Sequence, residues 1–118
     1  MPGRIVHFEL LAADADRASG FWNGLFGWNV GGSVMEDFDY RMFDLGEGQG
    51  GAIYPAETPG TMNVYFDTDD IEASIAKVRE LGGSADDKQP VPGHGWFTAC
   101  KDTEGIAFHL FQADSNAA

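Results

Sequence analysis

Two short segments place chemistry-bearing side chains at alternating positions: His7-Phe8-Glu9, and Asn63-Val64-Tyr65-Phe66-Asp67. On an extended strand, residues two apart point to the same face, so His7 joins Glu9, and Asn63 joins Tyr65 and Asp67. An imidazole beside a carboxylate can hold a cation or move a proton. An asparagine is a weak, neutral ligand for a transition metal, and the oxygens of Glu9, Tyr65 and Asp67 are the available reinforcement.

Other reactive types carry less. Cys100 is the one cysteine, which excludes an intramolecular disulfide; a lone thiol with no triad pattern around it reads as a small packed side chain. The run Gly46-Glu47-Gly48-Gln49-Gly50-Gly51 lacks the lysine and hydroxyl residue of a phosphate loop, and Glu47 repels phosphate, so it reads as a turn before a strand. His94 lies in the loop Pro90-Val91-Pro92-Gly93-His94-Gly95 and reads as solvated, whereas Trp96 directly after it is placed at the rim of a ligand site. Tyr40 and Met42 alternate with Arg41 and Phe43; one pair must face a helix and the other the site, and the spacing leaves both assignments open.

The elements that position these residues follow from a repeat. Shifting the sequence by fifty-six superimposes His7 on Asn63, Asp14 on Asp70, Asp16 on Glu72, Leu25 on Leu81 and Gly27 on Gly83, and a shift of fifty-seven superimposes Glu47-Gly48 on Glu104-Gly105. Each copy opens with an alternating strand. Each continues into an acidic helix start, Asp14-Ala15-Asp16 or Asp69-Asp70-Ile71-Glu72, suited to capping and to the helix dipole. The expected buried stripes are Ala18, Phe21, Trp22, Leu25 and Ile71, Ile75, Val78, Leu81. Three strands should follow each helix, near 30–34, 40–45 and 52–54, then near 84–86, 96–100 and 107–111. The prediction is an α+β domain over residues 1–118, built of βαβββ modules at about 3–56 and 60–113, with residues 114–118 frayed.

A chain of 118 residues, with 43% hydrophobic and 13% aromatic residues, can bury a core of its own. The formal charge of -12 argues against nucleic acid and anionic membranes as partners, and the N-terminus has no secretory pattern, so the chain reads as cytoplasmic.

The doubled βαβββ unit, with His7-Phe8-Glu9-Leu10, Phe21-Trp22-x-x-Leu25-Phe26-Gly27-Trp28, Asp69-Asp70-Ile71-Glu72-Ala73 and Asp102-Thr103-Glu104-Gly105, resembles the vicinal oxygen chelate superfamily of glyoxalases, bleomycin resistance proteins and extradiol dioxygenases. It is most similar to short bacterial glyoxalase-like members. The resemblance implies an open, cup-shaped mixed sheet with helices on its outer face, and a homodimer. It also implies ligand positions on the first and last strand of each module. These match His7, then Ala52 or Ile53, then Asn63 and His109, with Thr103 standing where the pattern has proline.

That set supplies two imidazoles, which suit zinc, nickel, manganese or iron, beside an aliphatic residue that donates nothing. The favoured role for His7 and His109 is therefore a neutral, hydrogen-bonded imidazole that touches a ligand. The reading is a small-molecule binding protein of bleomycin-resistance type, with His7, Glu9, Asn63, Tyr65, Trp96 and His109 at the ligand. The competing reading is a metal-dependent lyase, isomerase or dioxygenase using His7 and His109, with Glu9 as general base. A purely structural or regulatory dimer is a third.

Overall fold

The computed structural model describes residues 2–118. Its elements run β1 (Ile5–Ala12), α1 (Ala15–Phe26), β2 (Arg41–Gly46), β3 (Gln49–Pro55), β4 (Thr61–Asp67), α2 (Ile71–Glu80), β5 (Ser84–Ala85), β6 (Gln89–Val91), β7 (Gly95–Lys101) and β8 (Ala107–Ala113). This is an α+β fold in which each half opens with a strand and a helix, followed by two strands after α1 and four after α2 where three were expected in each. The described residues form two compact units, residues 6–63 and residues 64–118 with residues 2–5, so the boundary falls inside β4 between Asn63 and Val64. No helix among the described residues is long and apolar enough to cross a membrane.

In the first unit β1 runs parallel to β3, and β2 pairs antiparallel with β3. Asp14 caps α1 by accepting from the Arg17 N–H, and Gly27, at φ 70°, ends it in the left-handed conformation that glycine adopts without strain. The buried face of the sheet carries Leu10, Phe43 and Ile53, packed with Ala15 and Val30 and flanked by Phe8, Ala18, Trp22 and Trp28. Trp28 stacks on Phe43 with ring centroids 4.6 Å apart and on Trp22 at 5.1 Å. Along α1 the residues facing the core are thus Ala15, Ala18, Ser19 and Trp22, a helical i, i+3, i+4, i+7 set. Phe21 and Leu25, expected in the stripe, are exposed.

The segment expected as a strand at 30–34 forms no ladder. Gly31 and Gly32 carry no side chain to pack there, and the Ser33 hydroxyl takes the Tyr40 N–H at 3.0 Å, competing with strand pairing.

In the second unit β4 runs parallel to β8, which pairs antiparallel with β7; β5 and β6 both pair with β7. Asp70 caps α2 through the Ala73 N–H. Ile71, Ile75, Cys100 and Leu110 form the core, with Phe66, Val78, Ala85, Trp96 and Phe108 around it. Leu81, the predicted fourth member of the stripe, lies beyond the last helical turn and is exposed.

The C-terminal residues are tied down rather than frayed: the Gly93 N–H donates to the Ala117 carbonyl at 2.9 Å, and Ala117 is buried.

Candidate functional site

The sheet face of the first unit turned away from α1 is fixed by register. Glu9 stands opposite Ala52 across the parallel β1–β3 ladder, and Met42 opposite Ala52 across β2–β3. Partners in register share a face, so His7, Glu9, Tyr40, Met42, Ala52 and Tyr54 lie together, while Phe8, Leu10, Phe43 and Ile53 face the helix. This decides the alternation left open by the sequence: Tyr40 and Met42 belong to the site, and Arg41 and Phe43 to the other face.

Five polar side chains on this face form one continuous row. Tyr40 Oη donates to Glu9 Oε2 at 2.6 Å, a short charge-assisted bond. A phenol has one proton, so the 2.8 Å contact between Tyr40 Oη and His7 Nε2 is donated by the imidazole. Burial pushes the His7 pKa down, the charge of Glu9 opposing it, so the ring is held neutral with its proton on Nε2. At the other end Asn63 Nδ2 donates to Glu9 Oε1 at 3.1 Å and to Tyr54 Oη at 3.3 Å. Glu9 is only 7% exposed, and these bonds help satisfy a carboxylate that would otherwise be costly to bury. Burial, then the charge of Glu9, raises the Tyr54 pKa, so its phenol stays protonated.

Aromatic surface adjoins the row. The Tyr40 and Tyr54 rings lie 5.8 Å apart, and Phe38 lies 6.0 Å from the first and 5.2 Å from the second. Tyr40 and Tyr54 were not singled out as ligand contacts from the sequence. The available signal was the period-two run Ala52-x-Tyr54 ending the first module, once β3 is laid beside β1.

The second unit carries the remaining candidates. Tyr65 faces His109 in register across β4–β8, and their rings stack with centroids 4.5 Å apart. Glu9 and Tyr65 occupy equivalent positions in the two modules, so their partners do too: the counterpart of His109 is Ala52, not Ile53.

Trp96 does not join this face. It pairs with Gln112 and packs on the helix side of its sheet, where its Nε1 donates to Asp114 Oδ2 at 3.0 Å and Lys88 Nζ sits 4.2 Å from the ring centroid. The placement of Trp96 at a ligand rim is thereby corrected: a strand residue beside a loop takes the face set by its register, and here that face is the core. His94 is exposed on the turn.

The donor set for a divalent metal can be tested against this geometry. In the first module His7 Nε2 carries a proton toward Tyr40, the Glu9 oxygens accept from Tyr40 and Asn63, and Ala52 contributes no donor. Among the described residues no group of three or more His, Cys, Asp or Glu is placed to hold an ion. The side chains as arranged do not fit a resident metal.

With this geometry in hand, comparison gives the class: the chain belongs to the glyoxalase-like domain family, which matches residues 6–111. It is 27% identical over 115 residues to the protein named "Putative glyoxylase CFP32" in Mycobacterium bovis and in Mycobacterium tuberculosis. The match takes in 93% of this chain and 44% of those proteins, so the chain spans less than half their length. Among solved structures it resembles the methylmalonyl-CoA epimerase of Mycobacterium tuberculosis, with a TM-score of 0.74 at 12% identity, covering 95% of this chain and 88% of that one. It also resembles the Streptomyces coelicolor epimerase bound to 2-nitronate-propionyl-CoA, with a TM-score of 0.70 at 18% identity, covering 100% and 99%. At these identities the structural likeness establishes the vicinal oxygen chelate fold and leaves the chemistry to the site.

Proposed function

We propose that the protein binds a small organic molecule on the sheet face of its first unit, residues 6–63, oriented by the row His7–Tyr40–Glu9–Asn63–Tyr54. The observation that carries this reading is the row itself. Five side chains from β1, β3, β4 and the end of the 28–40 segment satisfy one another at 2.6 to 3.3 Å beside exposed aromatic surface. A few fixed polar groups next to apolar rings are the usual composition of a site that orients a small ligand. Within the second unit, Tyr65 and His109, whose rings stack on each other, are proposed separately as ligand contacts.

A screen of small organic compounds by thermal shift tests it. Hits should raise the melting temperature of the wild type and lose most of that effect in Asn63→Ala, which removes the donor at one end of the row. A broad screen without a hit, or hits indifferent to Asn63, would sink the reading.

The second reading, a metal-dependent lyase, isomerase or dioxygenase, draws on the pairing of His7 and Glu9 on one strand. It requires Tyr40 to release both before either can face an ion. Calorimetric titration of nickel, zinc, manganese and iron into the wild type and His7→Ala separates the two: tight, one-per-chain binding lost in the variant favours the metalloenzyme.

A further inference from the structure

The segment between α1 and β2 makes no ladder, yet it is closed on itself by one hydroxyl. Ser33 Oγ accepts the N–H of Tyr40 at 3.0 Å and lies 3.0 Å from the Met35 carbonyl and 2.9 Å from that of Phe38, a shared bond for its single proton. The Val34 N–H donates to the Tyr40 carbonyl at 3.0 Å, so residues 33–40 form a small loop whose ends meet. Just past it, Arg41 is clamped to Asp39 at 2.9 and 3.1 Å and to Asp16 on α1 at 2.7 Å.

What this loop holds in place is Phe38. The residue is 40% exposed, contributes nothing to either core cluster, and leans on the Tyr40 and Tyr54 rings. The hydroxyl ends of both tyrosines are engaged in the polar row, which leaves ring surface as what this part of the site can offer. Phe38 therefore packs one side of its ring on these two tyrosines and leaves the rest at the surface beside the polar row.

We propose that the Ser33–Tyr40 loop is the specificity element of the site and that Phe38, with Tyr40 and Tyr54, selects an aromatic ring bearing a hydrogen-bonding group. This rests on the reading of the first-module face as a ligand site. Offset and edge-to-face ring contacts favour an aromatic over a saturated ring of equal size, while the polar substituent is left to reach the row.

The probes are 4-methylphenol and 4-methylcyclohexanol, six-membered rings of similar size that each carry one hydroxyl opposite a methyl, titrated against the full chain with backbone amide shifts as readout; because a phenol is also the stronger donor, the change of the ratio in Phe38→Leu isolates the ring contact. The wild type should bind 4-methylphenol about tenfold more tightly, with shifts at residues 38–42 and 52–54. Phe38→Leu, which keeps apolar bulk at the position but removes one of the three rings, should lower the ratio by about threefold. Ser33→Ala should weaken 4-methylphenol alone. A ratio near one in the wild type, or one unchanged in Phe38→Leu, overturns the selection and leaves the binding reading standing. Binding of neither probe also overturns the selection, and the compound screen then decides the binding reading separately.

Discussion

Tyr40 donates its only hydroxyl proton to Glu9 at 2.6 Å, and this makes it the link on which the site's protonation pattern depends. The same oxygen accepts from His7, so removing it strips a partner from a half-buried imidazole and from a buried carboxylate at once. Tyr40→Phe should therefore cost about 1–3 kcal/mol of stability in urea unfolding, with the ring contacts to Phe38 and Tyr54 kept. A variant as stable as the wild type would mean that the row is not formed.

His7 gives the stability a pH signature. Its pKa is lowered in the folded chain, chiefly by burial, so the unfolded chain binds more protons as pH falls through the ordinary value of 6.5. Stability is then flat above that value and declines below it. Melting temperature followed from pH 8 to pH 5 should fall less in His7→Gln than in the wild type; parallel curves would contradict the assignment of a buried, neutral imidazole.

Cys100 should be inert. It is buried, and burial followed by the charge of Asp86 pushes its pKa up to about 11, so the thiol is protonated at pH 8. Ellman's reagent at pH 8 should leave it unmodified until denaturant is added. Prompt labelling of the native chain would show the second core to be open.

Gly51 sets how closely β1 and β3 approach. A Cβ there would run into the Phe8 carbonyl and press on the Phe43 ring, in the ladder that also aligns Glu9 with Ala52. Gly51→Ala is expected to destabilise more than Phe21→Ala, whose residue is 61% exposed and should matter by no more than about 0.5 kcal/mol. Ile53→Ala, at a site with no exposure, should cost about 2–5 kcal/mol. Thermal melts of the three variants check the order.

The residues best read from the sequence are those whose position is set by local pattern. Asp14 and Asp70 cap the two helices as their acidic clusters suggest, and the fifty-six-residue shift reappears as equivalent β1–β3 and β4–β8 ladders. His7, Glu9 and Asn63 share a face because alternation within a strand fixes faces. Tyr54 and the facing of Tyr40 were hidden because they depend on register between strands, which no local pattern carries. Trp96 was misplaced for the same reason: both faces of Trp96-Phe97-Thr98-Ala99-Cys100 are largely apolar, so alternation there does not mark the core. The strand expected at 30–34 lost to a side-chain competitor, the Ser33 hydroxyl, which is invisible to propensity.

The central claim is that the polar row of the first unit is where a small molecule binds, and mapping a bound compound by backbone amide shifts tests it most directly. With any compound that stabilises the wild type in the thermal screen, the account predicts the largest shifts at residues 7–9, 38–42, 52–54 and 63. It also predicts their loss in Asn63→Ala. Saturable shifts confined to other parts of the chain, with these residues unmoved, would contradict it.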